Sequence, residues 1–244
     1  MKRKLFPTKL AEFRRLIWDR RLDKMLKSPE GRAEYWRDLG SRCDRSPMIT
    51  MLKSALQVSG DVIECGVYRG SSLMRIARTI RETQPSKRLF ALDSFQGFPE
   101  GSVLDIDVGK GRWKHRVKQK FRFCADTPTR LKRCFDAYGV SGEIVAGYFS
   151  QTLSRFRQHS FCFVHLDVDL YTSYIECLDA LYDRVTPGGV IVFDECDSGA
   201  WPGSERAIRE FFSHRPETIE TLVQGEVTTY YVRKQPAVAV RQSA

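Results

Sequence analysis

The chain has 244 residues, of which 42% are hydrophobic and 29% are charged, so a full hydrophobic core is available and general disorder is excluded. No apolar run approaches the roughly 18–20 residues that are needed to span a bilayer. The seven cysteines are scattered and form no CxxC pair, which is typical of buried, reduced thiols and favours a cytoplasmic protein.

The net charge of +10 is concentrated in two segments. Residues 1–53 hold 15 Lys and Arg against seven Asp and Glu, and residues 109–123 hold seven Lys and Arg and no acid. The rest of the chain is therefore mildly acidic. Basic appendages on an acidic body favour a basic surface around a site, or an anionic partner, over a uniformly basic nucleic-acid-binding protein.

Residues 1–55 are predicted to form a basic helical segment, because apolar residues recur at helical spacing with Lys and Arg between them. We expect an amphipathic helix that packs on the following domain. The alternative is a helix on a membrane surface, since a basic amphipathic face suits anionic lipid. The apolar positions are Leu5, Leu10, Phe13, Leu16, Ile17 and Leu22.

Short apolar runs alternate with helical stretches across residues 56–234, which we interpret as one domain. This alternation predicts right-handed crossovers and a mostly parallel sheet that is covered on both faces. Pro187-Gly188-Gly189 is predicted to end a helix and lead into the next strand. The predicted strands are 61–67, 88–93, 143–146, 161–167 and 190–194, and the predicted helices are 72–81, 127–138, 151–157, 171–185 and 204–214.

Two further apolar runs, at 218–223 and 228–233, are joined by Gln224-Gly225-Glu226, which predicts an antiparallel hairpin at the edge of the sheet. Residues 235–244 are predicted to be a frayed tail.

Residues 94–126 are too long for a plain connection and are interpreted as a lid. Basic residues alternate within this segment, so an extended conformation would have one wholly basic face. The segment is either a solvated charge run or a strip that contacts an anion near the site. The basic residues are Lys110, Arg112, Lys114, Arg116, Lys118, Lys120 and Arg122.

A glycine loop, ECGVYRGSS, follows the first predicted strand and leads into a helix. Gly66 and Gly70 allow a tight turn and close approach to a ligand, and Ser71 or Ser72 can cap the helix. The spacing is not GxGxxG, which disfavours a nicotinamide-dependent dehydrogenase. Asp93 ends the next strand, where an acid can accept hydrogen bonds from ribose hydroxyls. Loop and acid together indicate an adenosine-type ligand.

Carboxylates follow two strands that should be neighbours. Asp167 and Asp169 follow one, and Asp194 and Glu195 follow the other. Acids that converge would repel each other unless a cation lies among them, and oxygen ligands favour magnesium, calcium or manganese. The alternative is separate carboxylates in caps and salt bridges. His165, within the strand, is interpreted as a packed residue rather than a base.

The segments DVIECGVYRGSS, ALDSFQGFPE, GYFSQTL and HLDVDLYTSYIECLDALYDRVTPGGVIVFDE occur in this order. Together they resemble the macrocin and mycinamicin O-methyltransferase family over about residues 45–233. The resemblance implies an α/β, class I (Rossmann-like) methyltransferase fold, with a seven-stranded sheet and N-terminal helices. It also implies that S-adenosylmethionine and magnesium are used to methylate a sugar hydroxyl.

The resemblance further implies site residues. Asp169 would be the general base, and the magnesium ligands would be Asp167, Asp194 and Glu195. Where the family usually has Asp-Asp after the fifth strand, this chain has Asp194-Glu195. The implied cofactor contacts are Glu64, Gly66, Tyr68, Ser71 and Ser72 in the glycine segment, Asp93, Ser94 and Phe95 near the ribose, and Tyr148, Phe149 and Ser150 near the adenine.

Two alternatives stay open at this level. One is an S-adenosylmethionine-binding protein with a degenerate metal site, because of the Asp194-Glu195 pair. The other is a methyltransferase for another anionic acceptor such as RNA, although nucleic acid is disfavoured because no Asn-Pro-Pro-Tyr-like motif is present. The expected acceptor is a small molecule or a glycan, with an anionic one suited to the basic strip. The sequence also leaves open whether the protein forms a homo-oligomer.

Overall fold

The computed structural model describes residues 26–108, 127–197, 199 and 201–236. The predicted helix at residues 5–22, the basic strip and residues 237–244 of the predicted tail lie outside these ranges. The described helices are α1 (Pro29–Cys43), α2 (Pro47–Ala55), α3 (Ser71–Thr83), α4 (Thr127–Tyr138), α5 (Phe149–Thr152), α6 (Tyr171–Leu181) and α7 (Pro202–Phe212). The same ranges contain three 3₁₀ turns, at Asp105–Asp107, Leu153–Phe156 and Tyr182–Arg184.

The strands form one sheet of seven in the order β3-β2-β1-β4-β5-β7-β6. Strands β1 to β5 are parallel, and β7 pairs antiparallel with both β5 and β6. The prediction of a mostly parallel sheet with an antiparallel edge hairpin is therefore confirmed. The strands are β1 (Asp61–Cys65), β2 (Leu89–Asp93), β3 (Gly142–Ala146), β4 (Phe161–Leu166), β5 (Val185–Phe193), β6 (Glu220–Gln224) and β7 (Val227–Arg233).

The strand order places a topological switch point between β1 and β4. From β1 the chain continues to β2 and β3 on one side, then crosses back to β4 and continues to β5 on the other side. In open α/β sheets, ligands bind in the crevice outside the carboxyl ends of the strands at such a point. Backbone hydrogen bonds continue past the strand ends there, from Asp167 N–H to Cys65 O (2.9 Å) and from Asp194 N–H to Leu166 O (3.0 Å).

The hydrophobic core has one layer on each face of the sheet. Helices α2, α3 and α4 cover one face, and α6 and α7 cover the other. Helix α2 buries most of its length, and Leu52 and Ala55 have no exposed surface. Helix α1 packs on α3 through Tyr35 and Leu39.

One predicted turn is wrong. Pro187-Gly188-Gly189 lies inside β5, and the preceding helix α6 ends earlier, at Leu181. In the pairing with β4, Phe161 faces Val185 and Phe163 faces Val190, so β5 has extra residues that form a bulge. The bulge accommodates a proline, which has no N–H, and the left-handed Gly188 (φ 85°), which is why turn residues occur within a strand here.

The six described cysteines, at positions 43, 65, 134, 162, 177 and 196, are free and buried, as predicted. Burial raises the pKa of the Cys177 thiol well above its ordinary value. Across the described ranges, no helix is both long enough and apolar enough to cross a bilayer.

The packing of α2 generates a stability prediction. We expect Leu52→Ala to lower the free energy of unfolding by about 2–5 kcal/mol, because it leaves a cavity in a fully buried site. Val223→Ala, on an edge strand with a side chain 63% exposed, should change it by less than about 0.5 kcal/mol. Urea unfolding followed by circular dichroism measures both. Equal free energies of unfolding for the two variants would contradict a core role for α2.

Candidate active site

The glycine loop lies directly against the end of β4. Gly66 has a φ of 84°, and a Cβ atom built on it would lie only 1.8 Å from the carbonyl oxygen of Asp167. Only glycine fits this position, because any side chain would collide with backbone atoms. Tyr68 (φ 51°) and Gly70 (φ 84°) are also left-handed, so the loop turns sharply before α3 begins at Ser71.

Asp93 ties this loop to the end of β2. Its Oδ2 accepts hydrogen bonds from the N–H groups of Val67 (2.9 Å) and Tyr68 (2.7 Å), and its Oδ1 accepts one from Phe95 N–H (2.7 Å). Because a carboxylate offers about four acceptor positions, these three donors leave room for a ligand hydroxyl. Asp93 thus has a structural role in addition to the predicted role at the ribose.

The other predicted nucleoside contacts lie at the ends of β2 and β3. Ser94 Oγ donates to Gly97 O (2.7 Å), which closes a turn after β2, and Phe95 is buried with a φ of 52°. Tyr148 precedes α5, in which Phe149 is half-buried and Ser150 is exposed. Since Gly147 N–H donates to Asp93 O (2.9 Å), the two strand ends are adjacent.

Three predicted metal ligands come together after β4 and β5. Asp167, Asp194 and Glu195 each present an oxygen, and these oxygens lie within 4.8 Å of one another. Glu195 is buried and accepts a hydrogen bond from the Tyr174 hydroxyl (2.5 Å), whereas Asp194 is exposed. An all-oxygen donor set of this kind suits magnesium, calcium or manganese.

Burial and like charges raise the pKa values of three acids at this point. Burial, followed by the charge of Asp194, raises the pKa of Asp167 to about 7. Burial and the charge of Asp167 also raise the pKa of Asp169 and that of Glu195 well above their ordinary values. A divalent cation among these groups would offset the repulsion, so the residues present fit a bound metal ion.

A buried pair connects β1 to this cluster. His165 Nδ1 lies 2.8 Å from Glu64 Oε1, and both side chains are almost fully buried. Burial opposes the charged form of His165, but the hydrogen bond and charge of Glu64 more than compensate, and the pKa of His165 is raised. The other Glu64 oxygen, Oε2, has no hydrogen-bond partner among the described residues.

A polar cavity of about 360 Å³ opens beside the cluster. It lies between the start of α3 and the ends of β4, β5 and the edge hairpin. Sequence reasoning missed one cation in its wall, Arg75, because a single arginine on a helix has no distinctive spacing. The side chains in the wall include Ser46, Met48, Ser71, Ser72, Arg75, His165, Asp167, Asp194, Thr228 and Thr229.

Asp107 was also missed, because a lone acid in a long connection has no pattern. Its fully buried carboxylate accepts hydrogen bonds from Leu104 N–H (2.9 Å) and from Tyr171 N–H (2.7 Å), the first residue of α6. A Cβ atom on Gly203 in α7 would lie 2.0 Å from Asp107 Oδ1. Asp107 therefore ties the turn at residues 104–107 to the start of α6 and packs closely against α7.

The strand order, the glycine loop after β1 and the acids after β4 and β5 together define a class I methyltransferase architecture. Solved structures agree. The calicheamicin methyltransferase CalS11 superposes with a TM-score of 0.64 at 25% identity, covering 84% of this chain and 93% of that one. The O-methyltransferase NovP superposes with a TM-score of 0.65 at 22% identity, covering 80% of each chain.

The chain belongs to the macrocin O-methyltransferase (TylF) family, whose sequence model matches residues 48–234. The mycinamicin III 3''-O-methyltransferase of Micromonospora griseorubida is 29% identical over 170 residues, which are 66% of this chain and 64% of that protein. The demethyldecarbamoylnovobiocin O-methyltransferase of Streptomyces niveus is 30% identical over 142 residues, 57% of this chain and 53% of that protein. The chain thus spans between about half and two thirds of the length of these relatives.

The carboxylate cluster generates a metal-binding prediction. We expect the protein to bind Mn²⁺, a spectroscopic probe for magnesium sites, and Asp194→Asn to weaken binding at least about 10-fold, since even the supporting partners of metal ligands contribute that much. The electron paramagnetic resonance signal of free Mn²⁺ measures the bound fraction.

Asp197→Asn is the matched control, because Asp197 lies in the same loop but is exposed and bonded to the Tyr230 hydroxyl (2.9 Å). It should bind Mn²⁺ as the wild type does. Equal loss in both variants would indicate a diffuse charge effect rather than a site.

The position of Asp107 generates a further prediction. Asp107→Ala should lower the free energy of unfolding by about 1–3 kcal/mol, because two backbone N–H groups lose a charged acceptor inside the protein. Asp105→Ala, at an exposed acid in the same turn, should leave it nearly unchanged. Guanidinium unfolding of both variants measures this free energy. An unchanged value for Asp107→Ala would show that the carboxylate does not stabilise the fold.

Proposed function

We propose that this protein is an S-adenosylmethionine-dependent, magnesium-assisted O-methyltransferase that methylates a sugar hydroxyl of a glycan or glycosylated natural product. The observation that carries the proposal is the convergence of Asp167, Asp194 and Glu195 beside the glycine loop. Family membership supports it, because the relatives are named for O-methylation of glycosylated compounds such as mycinamicin.

The residues present fit the cofactor. The missing side chain at Gly66 lets the glycine loop pack against the end of β4, and Asp93 retains acceptor capacity for a ribose hydroxyl. When bound, S-adenosylmethionine supplies a methyl group that is attached to a positively charged sulfur. This sulfur is a good leaving group. The protein orients that methyl group toward the acceptor hydroxyl. Such orientation lowers the activation barrier of a displacement by a large part.

The residues present also fit a divalent cation, which Asp167, Asp194 and Glu195 would hold. When bound there, it lowers the cost of removing a proton from a hydroxyl. Tyr174 orients Glu195 through its hydroxyl, so the longer side chain in place of the family's usual Asp is held in one position. This favours a functional metal site over a degenerate one.

Asp169 is the proposed general base. It is half-buried, has a left-handed backbone (φ 62°), and lies in the field of Asp93, Asp107 and Asp167. Its carboxylate accepts the hydroxyl proton as the oxygen bonds to the methyl carbon and the carbon–sulfur bond breaks, leaving both electrons of that bond on sulfur.

The acceptor is proposed to be a small glycoside or an activated sugar. The polar cavity wall offers hydroxyl groups of Ser46, Thr228 and Thr229, which suit a polyhydroxylated ligand. We expect a cytoplasmic location, which the free, buried cysteines support.

A base variant tests the proposal. Asp169→Asn should lower methyl transfer by about 100-fold or more, because the acceptor proton loses its receiving group, while the affinity for S-adenosylhomocysteine stays within about 2-fold. Transfer of a radiolabelled methyl group to a panel of free and nucleotide-linked deoxysugars measures activity, and calorimetry measures affinity.

Asp105→Asn serves as the control and should remain active, because this exposed acid lies in a neighbouring turn. Full activity of Asp169→Asn would remove the residue from the mechanism. Full activity of both Asp167→Asn and Glu195→Gln would instead rule out the metal-assisted route.

A further inference from the structure

The proposed general base lies at the centre of a tight three-residue turn. Leu170 N–H donates a hydrogen bond to Val168 O (2.6 Å), and Asp169 between them has a φ of 62°. A γ-turn with a positive φ at its central residue is the rare, strained form, and such strain persists only where the surrounding structure fixes it. The direction of the Asp169 carboxylate therefore depends on what holds the chain on either side of this turn.

A backbone contact fixes the end of the turn that adjoins the sheet. Asp167 N–H donates to Cys65 O (2.9 Å), which continues the pairing of β4 with β1. The other end passes directly into α6, and no side chain caps this helix at Leu170. Because the first N–H groups of a helix have no partner within the helix, this end needs an acceptor from elsewhere in the chain.

Asp107 supplies that acceptor. Its Oδ1 accepts a hydrogen bond from Tyr171 N–H (2.7 Å), two residues after Asp169, and its Oδ2 accepts one from Leu104 N–H (2.9 Å). The carboxylate is fully buried, so water does not compete for these bonds. A Cβ atom on Gly203 would lie 2.0 Å from Oδ1, so α7 packs directly against the carboxylate. Asp107 is thus held between two helices while it holds the start of one of them.

We infer that Asp107 is a positioning residue for the proposed general base. By holding Tyr171, it fixes the second end of the turn and thereby the direction in which the Asp169 carboxylate points. The inference rests on the proposed function and adds to it a residue that acts through Asp169. A general base must lie within hydrogen-bond reach of the proton that it removes, and a displacement of about 1 Å can lower the rate about 100-fold.

Amide hydrogen exchange on the full chain tests the structural step. Asp107→Ala should speed the exchange of Tyr171 N–H at least about 10-fold, since a hydrogen bond to a charged acceptor protects an amide by about that factor. Asp105→Ala, at an exposed acid in the same turn, should exchange at Tyr171 as the wild type does. An unchanged rate at Tyr171 in Asp107→Ala would overturn the inference while leaving the proposed function intact.

Kinetics of single and double variants test the catalytic step, with radiolabelled methyl transfer to the panel of free and nucleotide-linked deoxysugars. Asp107→Ala should lower kcat about 10- to 100-fold and leave the affinity for S-adenosylhomocysteine within about 2-fold. In the Asp169→Asn background, the same substitution should change the residual rate by less than about 2-fold, because the group that Asp107 positions is already lost.

A second variant separates position from charge. Burial, followed by the charges of other acids that include Asp107, raises the pKa of Asp169, so Asp107 could also act through its charge. Gly203→Ala keeps this charge but displaces the carboxylate, and it should speed exchange at Tyr171 and lower kcat as Asp107→Ala does. Full kcat in Gly203→Ala despite faster exchange at Tyr171 would overturn the inference in favour of a charge effect.

Leu181→Ala is the control for loss of stability alone. This buried side chain lies in the last turn of α6, far along the helix from Asp169, and its removal should leave kcat unchanged below the unfolding temperature. An equal fall in kcat for Leu181→Ala, or multiplicative effects of Asp107→Ala and Asp169→Asn, would overturn the inference in favour of a general structural role. A wild-type protein that methylates no member of the panel would refute the proposed function, and the inference with it.

Discussion

The contact between Gly66 and the carbonyl oxygen of Asp167 is the constraint on which the rest of the site depends. It brings the ends of β1 and β4 closer than any side chain would allow, and the hydrogen bond from Asp167 N–H to Cys65 O holds them there. The glycine loop, the start of α3 and the acids after β4 consequently share one small volume. Without this approach, the parts of the site would lie on separate loops, each oriented independently.

The second constraint is the concentration of negative charge that this closeness produces. Burial and the charges of neighbouring acids raise the pKa values of Asp167, Asp169 and Glu195. Such a cluster is destabilising in itself and is tolerated because Tyr174 and the surrounding backbone hold it in place. A divalent cation bound among these acids, as proposed, would offset this repulsion.

Much of the fold could be predicted because its signals are local and repeated. Alternating apolar runs and helices required a parallel sheet, and the helix at Thr127–Tyr138 has the predicted bounds. The bulge at Pro187-Gly188-Gly189 could not be predicted, because the same residues form turns and bulges, and only the register against β4 distinguishes them. The acids at the strand ends could be named as candidates, since parallel strands end at one edge, but the hydrogen bond from Tyr174 to Glu195 depends on how α6 packs on the sheet.

By itself, the sequence determined the class of sheet, the glycine loop and the acids at the carboxyl ends of β4 and β5, because each is a short-range pattern that can be recognised along the chain. The tertiary structure alone decided the contacts of Arg75, Asp107 and the Glu64–His165 pair. These residues act through partners distant in sequence or through the cavity they enclose, and no spacing along the chain records which side chains will meet across a folded interior.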